Sequence, residues 1–131
     1  MDFINNNFKY SEITGKIIGA AIQVHNYHGI GFPEIIYQNS LGVEMDIINL
    51  LYEKEKSIKI IYKNIVVGNR RVDFIVENLI SVELKAVSNL EPVHFVQALN
   101  YLEAFNLEVG LLINFGAKKL EWKRLINTPK K

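Results

Sequence analysis

The stretch "RRVDFIVENLISVELKAV", Arg70 to Val87, decides the fold. It reads as two β-strands, because β-branched and aromatic residues alternate with polar ones on either side of a Glu77-Asn78-Leu79 loop. Side chains two apart share a face of a strand, so Val72, Phe74 and Val76 form one apolar set and Val82, Leu84 and Ala86 another. A three-residue loop puts both sets on one side of the sheet, and it places Asp73 across from Glu83 and Arg71 across from Lys85. A bulge would shift this register by one. Directly opposite Cβ atoms stand about 4.5–5.5 Å apart. Two carboxylates that close are unfavourable unless a cation lies between them, and either Lys85 or a divalent metal ion would serve.

Outward from this hairpin the elements follow by periodicity. Upstream, "SIKIIYKNIVV" reads as a third strand, with "EKEK" as a charged connection before it and Gly68-Asn69 as the turn after it. Ser11 to about Tyr27 carries Ile13, Ile17, Ala20, Ala21 and Val24 at helical spacing, with Ser11 as N-cap. "HGIGFP" ends that helix. A second one, with Pro33 in its first turn, is predicted to run to about Tyr52, with Ile36, Tyr37, Leu41, Ile47, Ile48 and Leu51 as its apolar stripe and Gly42 weakening it. Downstream, "EPVHFVQALNYLEAFN" returns to helical spacing through Val93, Val96, Leu99, Tyr101 and Leu102. "VGLLINFG" is the short apolar run of a strand buried on both faces. "KKLEWKRLI" alternates, which favours a final edge strand over a helix. The order is ααβββαβ with a last edge strand, an α/β fold.

Composition narrows the class. A chain of 131 residues, 49% of them hydrophobic, is one domain by length (residues 1–131) with enough apolar surface for its own core. With no cysteine, neither disulfides nor a thiolate zinc site can form, and a reducing, cytoplasmic setting is expected. "MDFINNNFKYSE" lacks a basic region leading into an apolar run, and no stretch has the roughly 18 apolar residues of a membrane span. The net charge of +1 gives no global attraction to nucleic acid, so any such contact must be local. Lys118, Lys119, Lys123, Arg124, Lys130 and Lys131 form one basic run, readable as a phosphate-contacting patch or as a solvated tail. His25 and His28 stand three apart without a third ligand nearby, the pattern of structural or capping histidines. A Gly-rich phosphate loop, a nucleophile elbow and a dinucleotide fingerprint are all missing, so nucleotide hydrolysis and hydride chemistry have no support.

Asp73, nine residues, then Glu83-Leu84-Lys85 on adjacent strands is the signature of the PD-(D/E)xK nuclease superfamily. "GFPEIIY" matches Gly-x-x-Glu-x-x-Tyr from Gly31 to Tyr37, the pattern of the GxxExxY family within it. "KIIGAAIQVHNYHGIGFPEIIYQNSL", "RVDFIVENLISVELKAV", "VHFVQALNYL" and "GLLINFGAKKLEWKR" resemble that family in order over nearly the whole chain.

The resemblance implies a restriction-endonuclease-like core, with a mixed sheet flanked by helices. It also implies a metal-dependent nuclease acting on nucleic acid, DNA ahead of RNA. Mg2+, with Mn2+ as substitute, would be held by Asp73, Glu83 and the Leu84 carbonyl. Lys85 would position the attacking water or stabilise charge on the phosphorane, although two neighbouring carboxylates favour its charged form and oppose a role as base. Glu34 resembles the helical acid that many members add to the site; a glutamate in a first helical turn also complements the helix dipole wherever it occurs. Gln97 and Tyr101 resemble the Gln-x-x-x-Tyr of related exonucleases and resolvases, where the amide would bond a metal-bound water or the phosphate. Tyr37 and Tyr101 lie on apolar stripes, the places of core residues with satisfied hydroxyls. His94 is within reach of a phosphate in this reading, and Arg71, whose guanidinium binds two oxygens, is the better clamp. A small, nearly neutral chain gains DNA-binding area as a homodimer. The alternative function is a non-catalytic, nuclease-like binding module for nucleic acid or protein.

Overall fold

The computed structural model describes residues 9–127. Lys130 and Lys131 of the basic run lie outside them. Three helices and five strands follow in the expected order: α1 (Ser11–His28), α2 (Glu34–Ile47), β1 (Tyr52–Tyr62), β2 (Ile65–Val76), β3 (Ile80–Lys85), α3 (Pro92–Phe105), β4 (Val109–Asn114) and β5 (Glu121–Ile126). The strands form one sheet in the order β1-β2-β3-β4-β5. β3 and β4 pair in parallel, from Ile80↔Val109 to Lys85↔Asn114. The other neighbours are antiparallel, so the sheet is mixed.

Burial sorts the two faces. Ile80, Val82, Leu84, Leu111 and Ile113 pack with Ile17, Val24, Tyr37, Leu41 and Met45 of α1 and α2. Leu112 and Leu125 pack on the opposite face against Ala98 and Leu102 of α3. Each such side chain contributes roughly 1.5–3 kcal/mol when fully buried. Glu83 and Lys85 alternate with Leu84 and therefore belong to the α3 face.

Element ends depart from expectation where left-handed residues intervene. Tyr10, at φ 57°, holds the N-cap position of α1, and Ser11 is the first helical residue, not the cap. α2 stops at Ile47, because Asn49 turns left-handed (φ 60°) and the Leu50 N–H bonds the Met45 carbonyl. Ile47, Ile48 and Leu51 are consequently exposed, not part of a buried stripe. The "EKEK" segment is not a connection but the first half of β1. The hairpin turn is Lys63-Asn64, both at positive φ, not Gly68-Asn69. Two left-handed residues match the twist of a two-stranded ribbon. Gly68 lies within β2 opposite Ile60, beside a bulge that leaves Val67 without a partner.

One polar side chain interrupts the wholly buried strand β4. Asn114 is 0% exposed. Its Oδ1 accepts the N–H groups of Val87 and Gly116, each at 3.0 Å. Its Nδ2 donates to the Val87 carbonyl and to Glu121, each at 2.8 Å. With the Phe115 N–H donating to the Lys85 carbonyl at 2.8 Å, these bonds fix the chain where β3 and β4 end. Asn114→Ala strands several of these groups, so urea unfolding should show a loss of about 2–4 kcal/mol. A loss under about 0.5 kcal/mol would mean that water replaces the amide without cost.

Candidate active site

The site forms where β2 and β3 part. Their ladder has three pairs, Val76↔Ile80, Ile75↔Ser81 and Phe74↔Val82, the register that the three-residue loop predicts. Glu77 and Asn78 take positive φ, and the Leu79 N–H closes on the Val76 carbonyl at 3.0 Å. One step beyond Phe74 and Val82 the register reaches Asp73 and Glu83. There a side chain replaces the backbone ladder: the Asp73 Oδ2 accepts the Leu84 N–H at 2.7 Å. The N–H and C=O of one strand residue point to the same side, so the Leu84 carbonyl faces the same gap as its amide.

Glu83 is only 6% exposed. Burial, then a hydrogen bond with Asp73 and the charge of Asp73, push its carboxyl up to about 9, against the opposing effects of Lys85 and of the Tyr101 hydroxyl. The shared burial and charge of the two carboxyls thus favour a proton on the pair. Tyr101 reaches Glu83 from α3, and burial followed by the Glu83 charge drives its phenol to about 12. Glu34, in the first turn of α2, is half-buried. Burial raises its carboxyl and the Asp73 charge adds to this, while Lys85 opposes both. Four expected residues, Glu34, Asp73, Glu83 and Lys85, therefore share one electrostatic site, with Tyr101 bonded to it.

Supporting contacts explain how α2 is placed. The fully buried Tyr37 donates its hydroxyl to the Gly29 carbonyl at 2.7 Å and accepts the Phe32 N–H at 3.3 Å, tying down the loop before Glu34. Gln38, buried one turn after Glu34, reaches the Asp73 carbonyl at 3.5 Å. The sequence reading missed it, although its i,i+4 spacing from Glu34 was the available signal.

Gln97 lines a recess of ≈ 260 Å³ with Lys85, Tyr101, Asn100 and Arg70. Arg70 thus stands beside the site, whereas Arg71 pairs with Ser57 across the hairpin and lies 3.9 Å from Glu55. His94 caps α3: its Nδ1 accepts the Glu91 N–H at 2.9 Å, and the Glu91 side chain accepts the His94 N–H. His25 bonds the Ala117 carbonyl at 2.9 Å and His28 the Ser40 hydroxyl at 2.7 Å, so the two face different partners.

Among the described residues no three His, Cys, Asp or Glu side chains stand close enough to enclose a metal ion by themselves. The donors nevertheless suit a hard cation in kind. Two carboxylates and a backbone carbonyl converge where burial and the neighbouring charge already penalise a second negative charge.

The family model of the PD-(D/E)XK nuclease superfamily matches residues 11–125, and the chain belongs to that superfamily. The crystal structure of SSO0001 is similar in fold, with a TM-score of 0.57 and 24% identity over 75% of this chain. The match spans 52% of the SSO0001 chain, about half its length. No match is found among curated proteins. No helix among the described residues is long and apolar enough to cross a membrane.

The buried carboxyl sets a pH dependence. Folded Glu83 holds its proton more tightly than the unfolded chain, so its contribution to stability is complete below the ordinary 4.5 and is lost as pH rises toward about 9. Glu34 acts in the same direction. In chelator, urea unfolding at about pH 5, 7 and 9 should show falling stability, and Glu83→Gln should flatten the trend. Equal slopes in both proteins would place the titration elsewhere.

Proposed function

We propose that this chain is a divalent-metal-dependent nuclease of the GxxExxY type, hydrolysing phosphodiester bonds in nucleic acid, DNA ahead of RNA. One observation carries the reading: where the sheet opens at the carboxyl ends of the parallel strands, the Asp73 carboxylate accepts the Leu84 N–H at 2.7 Å with the buried Glu83 carboxyl and Lys85 beside it. A structural ion pair would set one carboxylate against one lysine. Here three carboxyls, Glu34, Asp73 and Glu83, share one lysine.

In this reading Asp73, Glu83, the Leu84 carbonyl and Glu34 would hold Mg2+ or Mn2+. A divalent cation held there would supply a water of lowered pKa and polarisation of the phosphoryl oxygen. The chain's own groups do the rest. Lys85 presents a compact positive charge to the phosphate oxygens as negative charge builds on them. Tyr101 holds the Glu83 carboxyl in orientation through its hydroxyl. Gln97 offers its amide to the phosphate or to a water. Arg70, from its position in the recess, takes the phosphate-clamping role expected of Arg71.

Asp73→Ala and Lys85→Ala should each abolish magnesium-dependent cleavage in assays on linear, branched and single-stranded DNA and on RNA. Manganese should replace magnesium, and calcium should support little turnover. Cleavage that survives chelation, or that both variants retain, would refute the assignment. A second readout needs no substrate. Asp73→Asn keeps an acceptor for the Leu84 amide and removes a charge, so in chelator it should match or exceed wild-type stability by about 0.5–2 kcal/mol. Millimolar magnesium or manganese should then raise the melting temperature of wild type more than that of the variant. A variant that is destabilised and indifferent to metal would return Asp73 to a purely structural role.

A further inference from the structure

Two recesses meet beside Lys85. The first is the ≈ 260 Å³ space that Arg70, Lys85, Gln97, Asn100 and Tyr101 line. The second, ≈ 540 Å³, lies between Ile60, Val67 and Asn69 of the β1–β2 hairpin and Asn100 and Glu103 of α3, with Arg70 again at its wall. Because Arg70 and Asn100 belong to both, they form one cleft leading outward from the site lysine.

We propose that this cleft binds an unpaired strand of nucleic acid and feeds it to the active site, so that the substrate is single-stranded or parted from its duplex. The proposal rests on the nuclease reading above. Size argues for one strand: joined, the recesses have the dimensions of a small-ligand pocket, roughly 300–1,000 Å³, which a double helix cannot enter without separating. The lining chemistry agrees. Amides of Asn69, Gln97 and Asn100 offer both donors and acceptors, which match Watson–Crick edges only when those edges are unpaired. Ile60 and Val67 supply apolar surface for base faces, and Arg70 with Lys85 supplies cations for the backbone at the inner end.

The hairpin extends the same character. From Ser57 to Arg71 it carries Lys59, Lys63, Arg70 and Arg71 and no carboxylate. Tyr62, 61% exposed, lies near its tip with the Lys63 ammonium 5.3 Å from its ring. An exposed aromatic ring among cations is the composition of single-strand binding surfaces. Two such hairpins repel each other, which disfavours a second copy as the occupant.

Fluorescence anisotropy in chelator tests the cleft without cleavage, using labelled oligothymidylate and oligouridylate of about twelve nucleotides and a blunt duplex of equal length. Single strands should bind more tightly than duplex. Val67→Glu on the hairpin wall and Asn100→Ala on the exposed α3 wall should each weaken single-strand binding about tenfold and barely affect duplex. Circular dichroism checks folding, and Asn100→Ala keeps the test alive if the hairpin variant misfolds. Duplex binding as tight as either single strand, or single-strand binding that neither variant moves, would overturn the proposal. Hydrolysis of the same oligonucleotides with magnesium separates the two readings: cleft-dependent binding without cleavage keeps the cleft and removes the nuclease, whereas cleavage that neither variant alters does the reverse.

Discussion

The hydrogen bond from the Leu84 amide to the Asp73 carboxylate organises the molecule. A backbone N–H at a strand edge must find a partner, and elsewhere in β3 the ladders provide one. At Leu84 a side-chain oxygen takes that place. The substitution lets β2 leave β3 after only three pairs without stranding a buried donor. Everything functional follows from the separation. The Glu83 carboxyl fills the opened gap beside Asp73, the Leu84 carbonyl is left facing it, and β2 continues with β1 as a free ribbon whose base carries Arg70.

Such an opening works against stability, and the neighbouring elements offset it. A carboxyl 6% exposed next to another carboxyl would be strongly unfavourable if ionised. Its raised pKa removes most of that cost by keeping it protonated, and Tyr101 and Lys85 favour what charge remains. The surroundings are correspondingly over-determined. Asn114 makes four hydrogen bonds where β3 and β4 end. Behind the gap, Val82, Leu84, Leu111 and Ile113 are packed almost without exposure against α1 and α2. A rigid wall behind the two carboxyls is what holds them side by side.

The sequence made legible whatever depended on short-range pattern. The parity of the apolar sets around Glu77-Asn78-Leu79 gave the β2–β3 register, because a slip of one would have turned Val82 and Leu84 out of the core. The apolar run of β4, the edge character of β5 and the caged hydroxyl of Tyr37 were readable for similar reasons. The β1–β2 turn was not. Gly68-Asn69 carries the stronger turn signal, but the bulge absorbs Gly68 inside the strand and Lys63-Asn64 turns without a glycine. Alternation along an ideal strand selected Arg71 as the inner arginine; once β2 leaves β3, that alternation no longer reports what faces the site, and Arg70 occupies the recess. Asn114 was hidden by its apolar neighbours, although a lone amide in such a run is itself a sign of a buried polar clamp.

The spacing within Gly-x-x-Glu-x-x-Tyr also acquires a mechanical meaning. Gly31 sits at φ 107°, a conformation that side chains disfavour, and the chain turns there toward α2. Tyr37, one turn into the helix after Glu34, folds its hydroxyl back onto Gly29 and Phe32 on both sides of that turn. The glycine allows the bend, the tyrosine locks it, and the glutamate between them is delivered to the sheet opening with no freedom to swing away. Gln38, next along the helix, then ties α2 to the Asp73 carbonyl. Three separate segments, the loop before α2, the end of the β2–β3 ladder and the face of α3, thereby converge on a few carboxyl oxygens. The convergence does not depend on the distal hairpin, which leaves that ribbon free to vary with the shape of whatever strand it holds.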